Sequence, residues 1–285
     1  MLYSWLKKNV SKYDYVIENM MQFPLFTPVY VDKSKLFFIK HHFLGNKSIE
    51  VLGFFKGLIN LIFEKFINLT YNRPFIVPSE LTSTFLEKKN VLINPPGIII
   101  QKSSHGHSKY VNPTILYLGT LNLNRKKIDH LISSFSIVQN SISNANLIIA
   151  GQGPDTKKLK SMAKGMNIDF LSYVSEEQKV ELLSKSWVFC SPSLVEGFGI
   201  TLIEAGAKKL PVVLYDIGLK TVNSECSILC KVGDIKDLSS KLIILLKNKN
   251  KRIDLGNKGY VNSLKFTWKK NSKNFIDFIK KNEKS

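Results

Sequence analysis

The most informative stretch of the chain runs from Ser191 to Ala205 and reads SPSLVEGFGITLIEA. The apolar segment before it, Trp187–Cys190, is typical of a buried strand, and Gly199–Ala207 has the apolar spacing of a helix. A Gly-Phe-Gly turn joins the two segments, and the first amides of such a helix are free to bind an anion. Two carboxylates, Glu196 and Glu204, enclose the turn. The order of strand, loop and helix therefore predicts a ligand site at the end of a β-strand.

Short apolar segments alternate with helical segments through the second part of the chain. Because strands of this kind form parallel sheets with helices on both faces, the alternation predicts an α/β fold with a doubly wound parallel sheet. The predicted strands are Thr114–Leu118, Asn146–Ala150, Asp169–Leu171, Trp187–Cys190 and Pro211–Tyr215. The predicted helices are Ile128–Gln139, Lys157–Lys164, Glu176–Ser184, Gly199–Ala207 and Asp237–Leu246.

Turn-forming and polar residues follow several of these strands. They are Gly119, Gly151–Pro154, Ser191–Glu196 and Asp216–Gly218. Ligands of doubly wound sheets bind outside the carboxyl ends of the strands. We therefore expect the four segments to form one nucleotide site together with the Gly-Phe-Gly turn.

The first part of the chain shows a less regular alternation. Its predicted strands are Tyr15–Glu18, Lys35–Ile39, Phe75–Val77 and Val91–Asn94, and its predicted helices are Leu2–Val10, Ile49–Leu69 and a short one that ends at Phe85. The polar segment Gln101–Tyr110 is the best candidate for a linker. We predict two lobes, residues 1–105 and 106–270, followed by a basic helix or tail at 271–285.

The chain is strongly basic, with a formal net charge of +19 and a pI of about 9.7. The last 45 residues contain 13 lysines and arginines against three acidic residues. This balance predicts an acidic partner or surface. A nucleic acid is one candidate, but the sequence has no Arg-rich reading helix, zinc-finger spacing or aromatic RNA-binding signature. A diphosphate or the head groups of anionic lipids explain the charge at least as well.

The segment Ile49–Leu69 is the most lipid-like part of the sequence. Its four charged residues disfavour a bilayer span; they are Glu50, Lys56, Glu64 and Lys65. The segment fits an amphipathic helix with Phe54, Leu58, Leu61, Ile62 and Lys65 at helical spacing. Such a helix either packs on the core or lies on a membrane surface, so peripheral membrane contact is one expectation.

Cysteine usage and the N-terminal residues predict the compartment. Cys190, Cys226 and Cys230 are too few for a disulfide scaffold and have no nearby histidine pair for zinc, so buried thiols in a reducing compartment are expected. Met1–Val10 lacks the long apolar region of a signal peptide. We expect a cytoplasmic protein, with the inner face of the membrane as one location.

Two carboxylates so close in sequence are also consistent with a glycosidase, or with surface glutamates that merely flank a turn. Eight residues of helix rise about 12 Å, which exceeds the roughly 5–9.5 Å between working glycosidase carboxylates. A binding role fits better. In that interpretation the amides of Phe198–Thr201 face a diphosphate, Glu204 accepts ribose hydroxyls as in dinucleotide folds, and Glu196 contacts a sugar.

Three spaced motifs carry a resemblance to a known family. They are Gly119 with Arg125-Lys126 and Asp129, then IIAGQGP, then SPSLVEGFGITLIEAGAKKLPVV. In this order they resemble the retaining family 4 (group 1) glycosyltransferases of GT-B architecture, whose E-x7-E motif is matched by Glu196 and Glu204. The similarity runs from about Thr114 to Phe275. It extends more weakly to about Tyr13 through His41-His42, VPSE (Val77–Glu80) and LINPPGI (Leu92–Ile98).

The resemblance implies that a nucleotide diphosphate-sugar donor binds the C-terminal lobe and an acceptor binds the N-terminal lobe. Lys126 matches the lysine on the donor phosphates, Glu196 matches the residue on the sugar, and His41 matches the histidine near the reacting carbon. The implied donor-binding residues are Gly119, Thr120, Arg125, Tyr173, Val174, Gly197, Phe198, Gly199, Ile200, Thr201 and Glu204. Two positions depart from the family pattern, because Thr120 replaces an arginine and Ser172 replaces a glycine.

The sequence has no D-x-D triplet, so we expect neither a metal nor a cofactor beyond the nucleotide-sugar substrate. Lys126 and the amides at the helix start would then stabilise the leaving diphosphate. The expected reaction is sugar transfer with retention of anomeric configuration to a glycan or lipid-linked acceptor. A non-catalytic nucleotide-sugar-binding or scaffold protein is the alternative, and nucleic-acid binding would rest on charge alone.

The resemblance begins near the middle of the family's N-terminal domain, which normally starts with a strand and a glycine-rich loop. We therefore expect a shortened N-terminal lobe. A start further upstream, a partner chain that supplies the rest, and a pared-down transferase are the three explanations. Exposed sheet edges in a short lobe favour association.

Overall fold

The computed structural model describes residues 2–21, 23–86, 90–99 and 108–282, and it divides into two compact units. One unit comprises Met1–Gly97 together with Phe266–Ser285, and the other comprises Ile98–Lys265. Each unit contains a parallel β-sheet with helices packed on it, which confirms the predicted α/β class with two Rossmann-like lobes. Most of the predicted linker, residues 101–107, lies outside the described residues.

The first unit contains a four-stranded parallel sheet in the order β1-β2-β3-β4 within the described residues. Its strands are β1 (Val16–Met20), β2 (Leu36–Lys40), β3 (Phe75–Val77) and β4 (Val91–Ile93). Its helices before the linker are α1 (Leu2–Asn9), α2 (Ser48–Leu52), α3 (Phe54–Thr70) and α4 (Glu80–Ser83). The buried core of this unit joins sheet and helix residues; it includes Met20, Leu36, Phe38, Ile67, Tyr71 and Phe75.

Within its described residues, the second unit contains a six-stranded, fully parallel sheet. Its strands are β5 (Thr114–Leu118), β6 (Asn146–Ala150), β7 (Ile168–Leu171), β8 (Val188–Ser191), β9 (Val212–Tyr215) and β10 (Ser227–Cys230). Its helices are α5 (Leu123–Lys126), α6 (Ile128–Ser141), α7 (Thr156–Met162), α8 (Glu176–Lys185), α9 (Ile200–Ala207), α10 (Ile235–Lys247) and α11 (Lys249–Ser263). The strand order β10-β9-β8-β5-β6-β7 confirms the predicted doubly wound sheet.

The strand order of the second unit reverses between β5 and β8. These strands are neighbours, with Ile115 paired to Val188 and Leu116 paired to Phe189. Every residue of β5 and of β8 is buried, as expected for central strands that are covered on both faces. In open α/β sheets the crevice for a ligand lies at such a switch point. The loops that follow β5 and β8 are therefore the first place to look for a site.

The last helix, α12 (Trp268–Asn282), belongs to the first unit. Phe278 on this helix meets the ring of Phe37 edge-on with centroids 6.4 Å apart. The Asn271 amide donates to the carbonyl of Pro95, and the Asn94 amide donates to the carbonyl of Asn271. The chain thus returns to its first unit after the second unit is complete.

The predicted helix Ile49–Leu69 is two helices, α2 and α3, which are separated at Gly53. Gly53 has a φ of 81°, a conformation that favours glycine and interrupts the helix. Within α3, the buried residues are Gly57, Asn60, Glu64 and Ile67. The exposed apolar residues are Phe54, Phe55, Leu58, Ile59, Ile62 and Leu69. The predicted apolar residues lie at helical spacing, but most of them are exposed and do not pack on the core.

Buried polar contacts explain the orientation of α3. The Glu64 carboxylate accepts the backbone N–H groups of Leu44 and Gly45 at 2.8 and 2.9 Å, and it accepts the Asn60 amide at 2.8 Å. The Asn60 amide also donates to the Ser48 hydroxyl at 3.0 Å. These hydrogen bonds hold the polar face of α3 toward the interior of the unit, because burying such groups without partners is costly.

Within the described part of the chain, none of the helices is long and apolar enough to cross a bilayer.

Among the α-helices and strands of the described residues, the sequence patterns did not predict α5, β10 and α11. α5 and β10 are only four residues long, and α11 has little apolar periodicity and two glycines. Close backbone contacts account for both glycines, because a Cβ atom on Gly256 would collide with the Lys209 carbonyl oxygen and one on Gly259 would lie 3.3 Å from Cα of Gly206. A Cβ atom on Gly206 of α9 would lie 2.8 Å from the carbonyl oxygen of Gly259 on α11, so the two backbones approach closely.

Replacing Gly206 with alanine tests this close approach. We expect overpacking to cost about 1–3 kcal/mol, which exceeds the helix-propensity gain of up to about 1 kcal/mol. The urea midpoint of Gly206→Ala should therefore be lower than that of the wild type. Asn257→Ala on the exposed face of α11 is the control and should be neutral or slightly stabilising. A Gly206→Ala variant as stable as the wild type would contradict the packing.

Candidate functional site

Helix α5 follows β5 and places Lys126 above the switch point. Asn122 begins the helix, and its side-chain oxygen accepts the N–H of Arg125 at 2.9 Å. The Asp155 carboxylate accepts the N–H of Leu123 at 2.8 Å, so a second side chain also satisfies the exposed helix start. The short helix ends at Lys127, whose φ of 49° turns the chain into α6. Lys126 is thus held on a rigid turn.

The loop after β8 is tied directly to this helix. The Leu194 N–H donates to the Arg125 carbonyl at 2.9 Å. The Arg125 Nε donates to the Val195 carbonyl at 3.4 Å. Arg125 was predicted to bind the donor, and in the structure its side chain braces the backbone just before Glu196.

The structure brings Lys126 and Glu196 into contact although they are 70 residues apart in sequence. The Lys126 ammonium donates to Oε1 of Glu196 and forms an ion pair with it. Their side chains are 17% and 15% exposed, so both charged groups are largely buried but not sealed from water. A partly hydrated pair of this kind leaves an ammonium and a carboxylate available to a ligand at the switch point.

Close backbone contact explains the glycines of the two neighbouring loops. A Cβ atom on Gly151 would collide with the Gly119 carbonyl oxygen, and one on Gly153 would collide with the Leu121 carbonyl oxygen. The Gly119 N–H donates to the Ala150 carbonyl at 3.0 Å. The IIAGQGP motif is therefore needed to pack the loops after β5 and β6 against each other. Thr120, at the position of the family arginine, is exposed.

Helix α9 begins directly after the Gly-Phe-Gly turn. Gly199 precedes it with a φ of 79°, and a Cβ atom there would lie 2.6 Å from Cδ1 of Leu202, so the turn needs glycine. Phe198 is buried, and its carbonyl accepts the Thr221 hydroxyl at 2.7 Å. Because the amides of a first helical turn point out of its N-terminal end, Ile200 and Thr201 present theirs toward the loop of Glu196.

Glu204 lies on the second turn of α9 and is held by a lysine that the sequence analysis did not identify. Lys179 of α8 donates to Oε1 of Glu204 at 2.7 Å and contacts Glu176 at 2.8 Å. Burial opposes the charged form, but hydrogen bonds to Glu176 and Glu204 outweigh it and raise the pKa of Lys179. In the sequence, Lys179 shows only the spacing of an ordinary exposed pair with Glu176, which gives no sign of Glu204.

Tyr173 and Val174 lie in the loop between β7 and α8. Tyr173 is exposed and Val174 is half-buried. The Ser175 hydroxyl accepts the Gln178 N–H, and the Gln178 side chain accepts the Ser175 N–H, so a capping box fixes the start of α8. The loop lies at the carboxyl edge of the sheet, and its contact with a base stays a prediction.

His41 lies in the first unit, immediately after β2. Its Nε2 is 2.9 Å from the side-chain oxygen of Asn19 at the end of β1. Loss of surrounding water and the neighbouring Lys40 charge lower the pKa of His41 below the usual histidine value. A neutral ring that is held by Asn19 suits hydrogen bonding to a ligand, and the role of His41 near a reacting sugar stays a prediction.

Comparison with curated proteins finds glycosyltransferases. An uncharacterized glycosyltransferase of Haemophilus influenzae is 26% identical over 228 residues, which cover 76% of this chain and 61% of that protein. A phosphatidyl-myo-inositol mannosyltransferase of Mycobacterium leprae is 33% identical over 141 residues, which cover 47% of this chain and 37% of that protein. The chain therefore spans less than two thirds of the length of these relatives.

Among solved structures, HepE from Anabaena, determined in complex with UDP and glucose, is similar with a TM-score of 0.78. The match covers 98% of this chain and 81% of HepE at 14% identity, which establishes similarity of fold alone. A family model described as Glycosyl transferases group 1 matches residues 101–262, more than half of the chain. The finer assignment to family 4 stays a prediction. The chain belongs to the group 1 glycosyl transferases, and it has their GT-B fold.

Proposed function

We propose that the protein transfers a sugar from a nucleotide diphosphate-sugar to an acceptor, with retention of anomeric configuration and without a metal ion. The observation that carries this proposal is the contact of Lys126 with Glu196 at the switch point of the second sheet. Helix α9 begins directly after the Gly-Phe-Gly turn that follows Glu196, so the ammonium, the carboxylate and the N-terminal end of a helix belong to one loop cluster. Group 1 family membership supports the choice of reaction.

Different residues contact the diphosphate, the transferred sugar and the ribose of the donor. Lys126 and the amides at Gly197–Thr201 hold the diphosphate, and they stabilise the charge that develops on it as the sugar leaves. Glu196 accepts hydroxyls of the transferred sugar, and Glu204 accepts those of the ribose. The UDP and glucose in HepE from Anabaena support a donor of this class. When the donor binds, its phosphates compete with Glu196 for the Lys126 ammonium.

The same arrangement supports the proposal that the reaction needs no metal ion. A departing diphosphate needs positive charge close to its oxygens, and metal-dependent transferases supply this through a bound cation. Here the Lys126 ammonium and the N-terminal end of α9 supply positive charge at one place. The absence of a D-x-D triplet in the sequence supports this assignment.

The acceptor is proposed to bind the first unit, with a lipid or a lipid-linked glycan as its class. His41, neutral and oriented by Asn19, would hydrogen-bond a hydroxyl near the reacting carbon. The relative from Mycobacterium leprae is named for mannosyl transfer to a phosphatidyl-inositol lipid, which supports a lipid acceptor.

Peripheral contact with a membrane of anionic lipids is part of the same proposal. The apolar side of α3 is exposed, while its polar residues Asn60 and Glu64 are buried. An ordinary surface helix shows the reverse, with its apolar side packed on the core and its polar side in water. Phe54 and Phe55 are 63% and 80% exposed. The exposed surface of α3 also carries lysines. Their ammonium groups suit contact with anionic head groups, and their long apolar stems suit the lipid around the inserted phenylalanine pair.

A non-catalytic nucleotide-sugar-binding protein is the second candidate. Thr120 favours it, because this exposed residue offers no charge to the phosphates where the family has an arginine. The two candidates differ in turnover. A transferase hydrolyses or transfers the sugar of a bound donor, whereas a binding protein releases the donor unchanged.

Substitution of Lys126 tests the proposed transferase. We expect Lys126→Met to lower the rate of transfer or donor hydrolysis by on the order of 10²-fold, because one stabiliser of the leaving diphosphate is lost. The measurement is release of UDP, GDP or ADP from the matching nucleotide-sugars. Lys127→Met, one residue further along, is the matched control and should retain the wild-type rate. Equal rates for Lys126→Met and the wild type would refute the role of Lys126, and donor binding without turnover in the wild type would favour the binding protein.

Co-sedimentation with vesicles of phosphatidylglycerol and phosphatidylcholine tests the membrane contact. The wild type should bind at low salt, and Phe54→Ser combined with Phe55→Ser should weaken binding at least about tenfold, because two inserted rings are lost. Ile253→Ser combined with Val261→Ser removes two exposed apolar residues from α11 and should leave binding unchanged. The membrane proposal fails if the wild type does not sediment, or if both double variants bind alike.

A further inference from the structure

Glu204 is not an isolated carboxylate, because Lys179 approaches it from a different helix. Lys179 Nζ lies 2.7 Å from Oε1 of Glu204 and 2.8 Å from Oε2 of Glu176. The side chains of Lys179 and Glu204 are 19% and 21% exposed, whereas that of Glu176 is 75% exposed. Exposed ion pairs contribute little, and screening weakens them further. The half-buried contact with Glu204 is therefore the one that constrains the lysine.

Among the residues that the structure describes, the side-chain hydrogen bond to Glu204 uses one carboxylate oxygen and leaves the other for a ligand. Oε1 accepts the Lys179 ammonium, and Oε2 is then oriented by the same contact. The backbone of Glu204 is already fixed, because α9 packs on α11 through the close approach of Gly206 and Gly259. What remains to be fixed is the direction of the side chain, and the charge-assisted hydrogen bond from Lys179 does this.

We propose that Lys179 is a positioning residue that aims Glu204 at the ribose of the donor, and that this pair sets a preference for ribo- over 2′-deoxyribonucleotides. The inference rests on the proposed function, because it assigns the ribose to Glu204. The physical reason is that an oriented carboxylate accepts the 2′-hydroxyl well. A carboxylate that loses its ammonium partner turns toward water and discriminates less.

The test is calorimetric titration of the full chain with UDP, GDP and ADP, followed by the 2′-deoxy form of whichever binds tightest. The wild type should prefer the ribonucleotide by on the order of tenfold, the scale of one hydrogen bond to a charged group. Lys179→Met should reduce this ratio to about twofold, mainly by weakening the ribonucleotide. Lys179→Arg keeps a cation and should restore most of the preference.

A double-mutant cycle separates positioning from a general structural role. Glu204→Gln alone should lower the ratio as Lys179→Met does, and the combined variant should lower it no further, because both changes act on one contact. Glu176→Gln is the matched control and should retain the wild-type ratio, since that carboxylate is exposed. Thermal unfolding of each variant identifies any that fail to fold.

Two results would overturn this inference but leave the proposed function standing. One is a Lys179→Met variant that binds the ribonucleotide and the 2′-deoxyribonucleotide more weakly by the same factor. The other is full additivity of the effects of Lys179→Met and Glu204→Gln on the affinity ratio. A wild type that binds none of the three nucleotides would instead refute the proposed function, and the inference would fall with it.

Discussion

The contact between Lys126 and Glu196 is the interaction on which the site depends. It joins a helix after β5 to a loop after β8, and it exists because these strands are neighbours at the point where the sheet order reverses. The Leu194 N–H and the Arg125 side chain add two hydrogen bonds across the same junction. An anion bound in the crevice of the switch point would compete with one carboxylate for the Lys126 ammonium.

The remainder of the second unit fixes the walls of this crevice. Glycine contacts press the loop after β6 against the loop after β5, and the approach of Gly206 to Gly259 seats α9 on α11. Lys179 then orients Glu204 from α8. Each group that we assign to the donor is therefore supported by a second contact, which is what a site with defined geometry requires.

Much of this arrangement could be predicted from the sequence, because buried parallel strands have a strong signature. The segments TILYL and NLIIA were predicted with their observed bounds, and the strand-loop-helix order located Glu196 and Glu204 at one edge of the sheet. Lys126 was assigned only through the family resemblance. Contacts between distant elements could not be predicted. Lys179 looked like an exposed helix residue, and the apolar stripe of α3 did not reveal that Asn60 and Glu64 form its buried face. Periodicity gives the faces of a helix but not which face is covered.

A crystal structure of the full chain with its tightest-binding nucleoside diphosphate, chosen among UDP, GDP and ADP, tests the central claim most directly. The account predicts phosphate oxygens within hydrogen-bonding distance of Lys126 Nζ and of the amides at the start of α9, with the ribose on Glu204. It also predicts that the Lys126–Glu196 contact is loosened or broken by the ligand. A diphosphate bound elsewhere, with the Lys126–Glu196 pair intact and the crevice empty, would contradict the account.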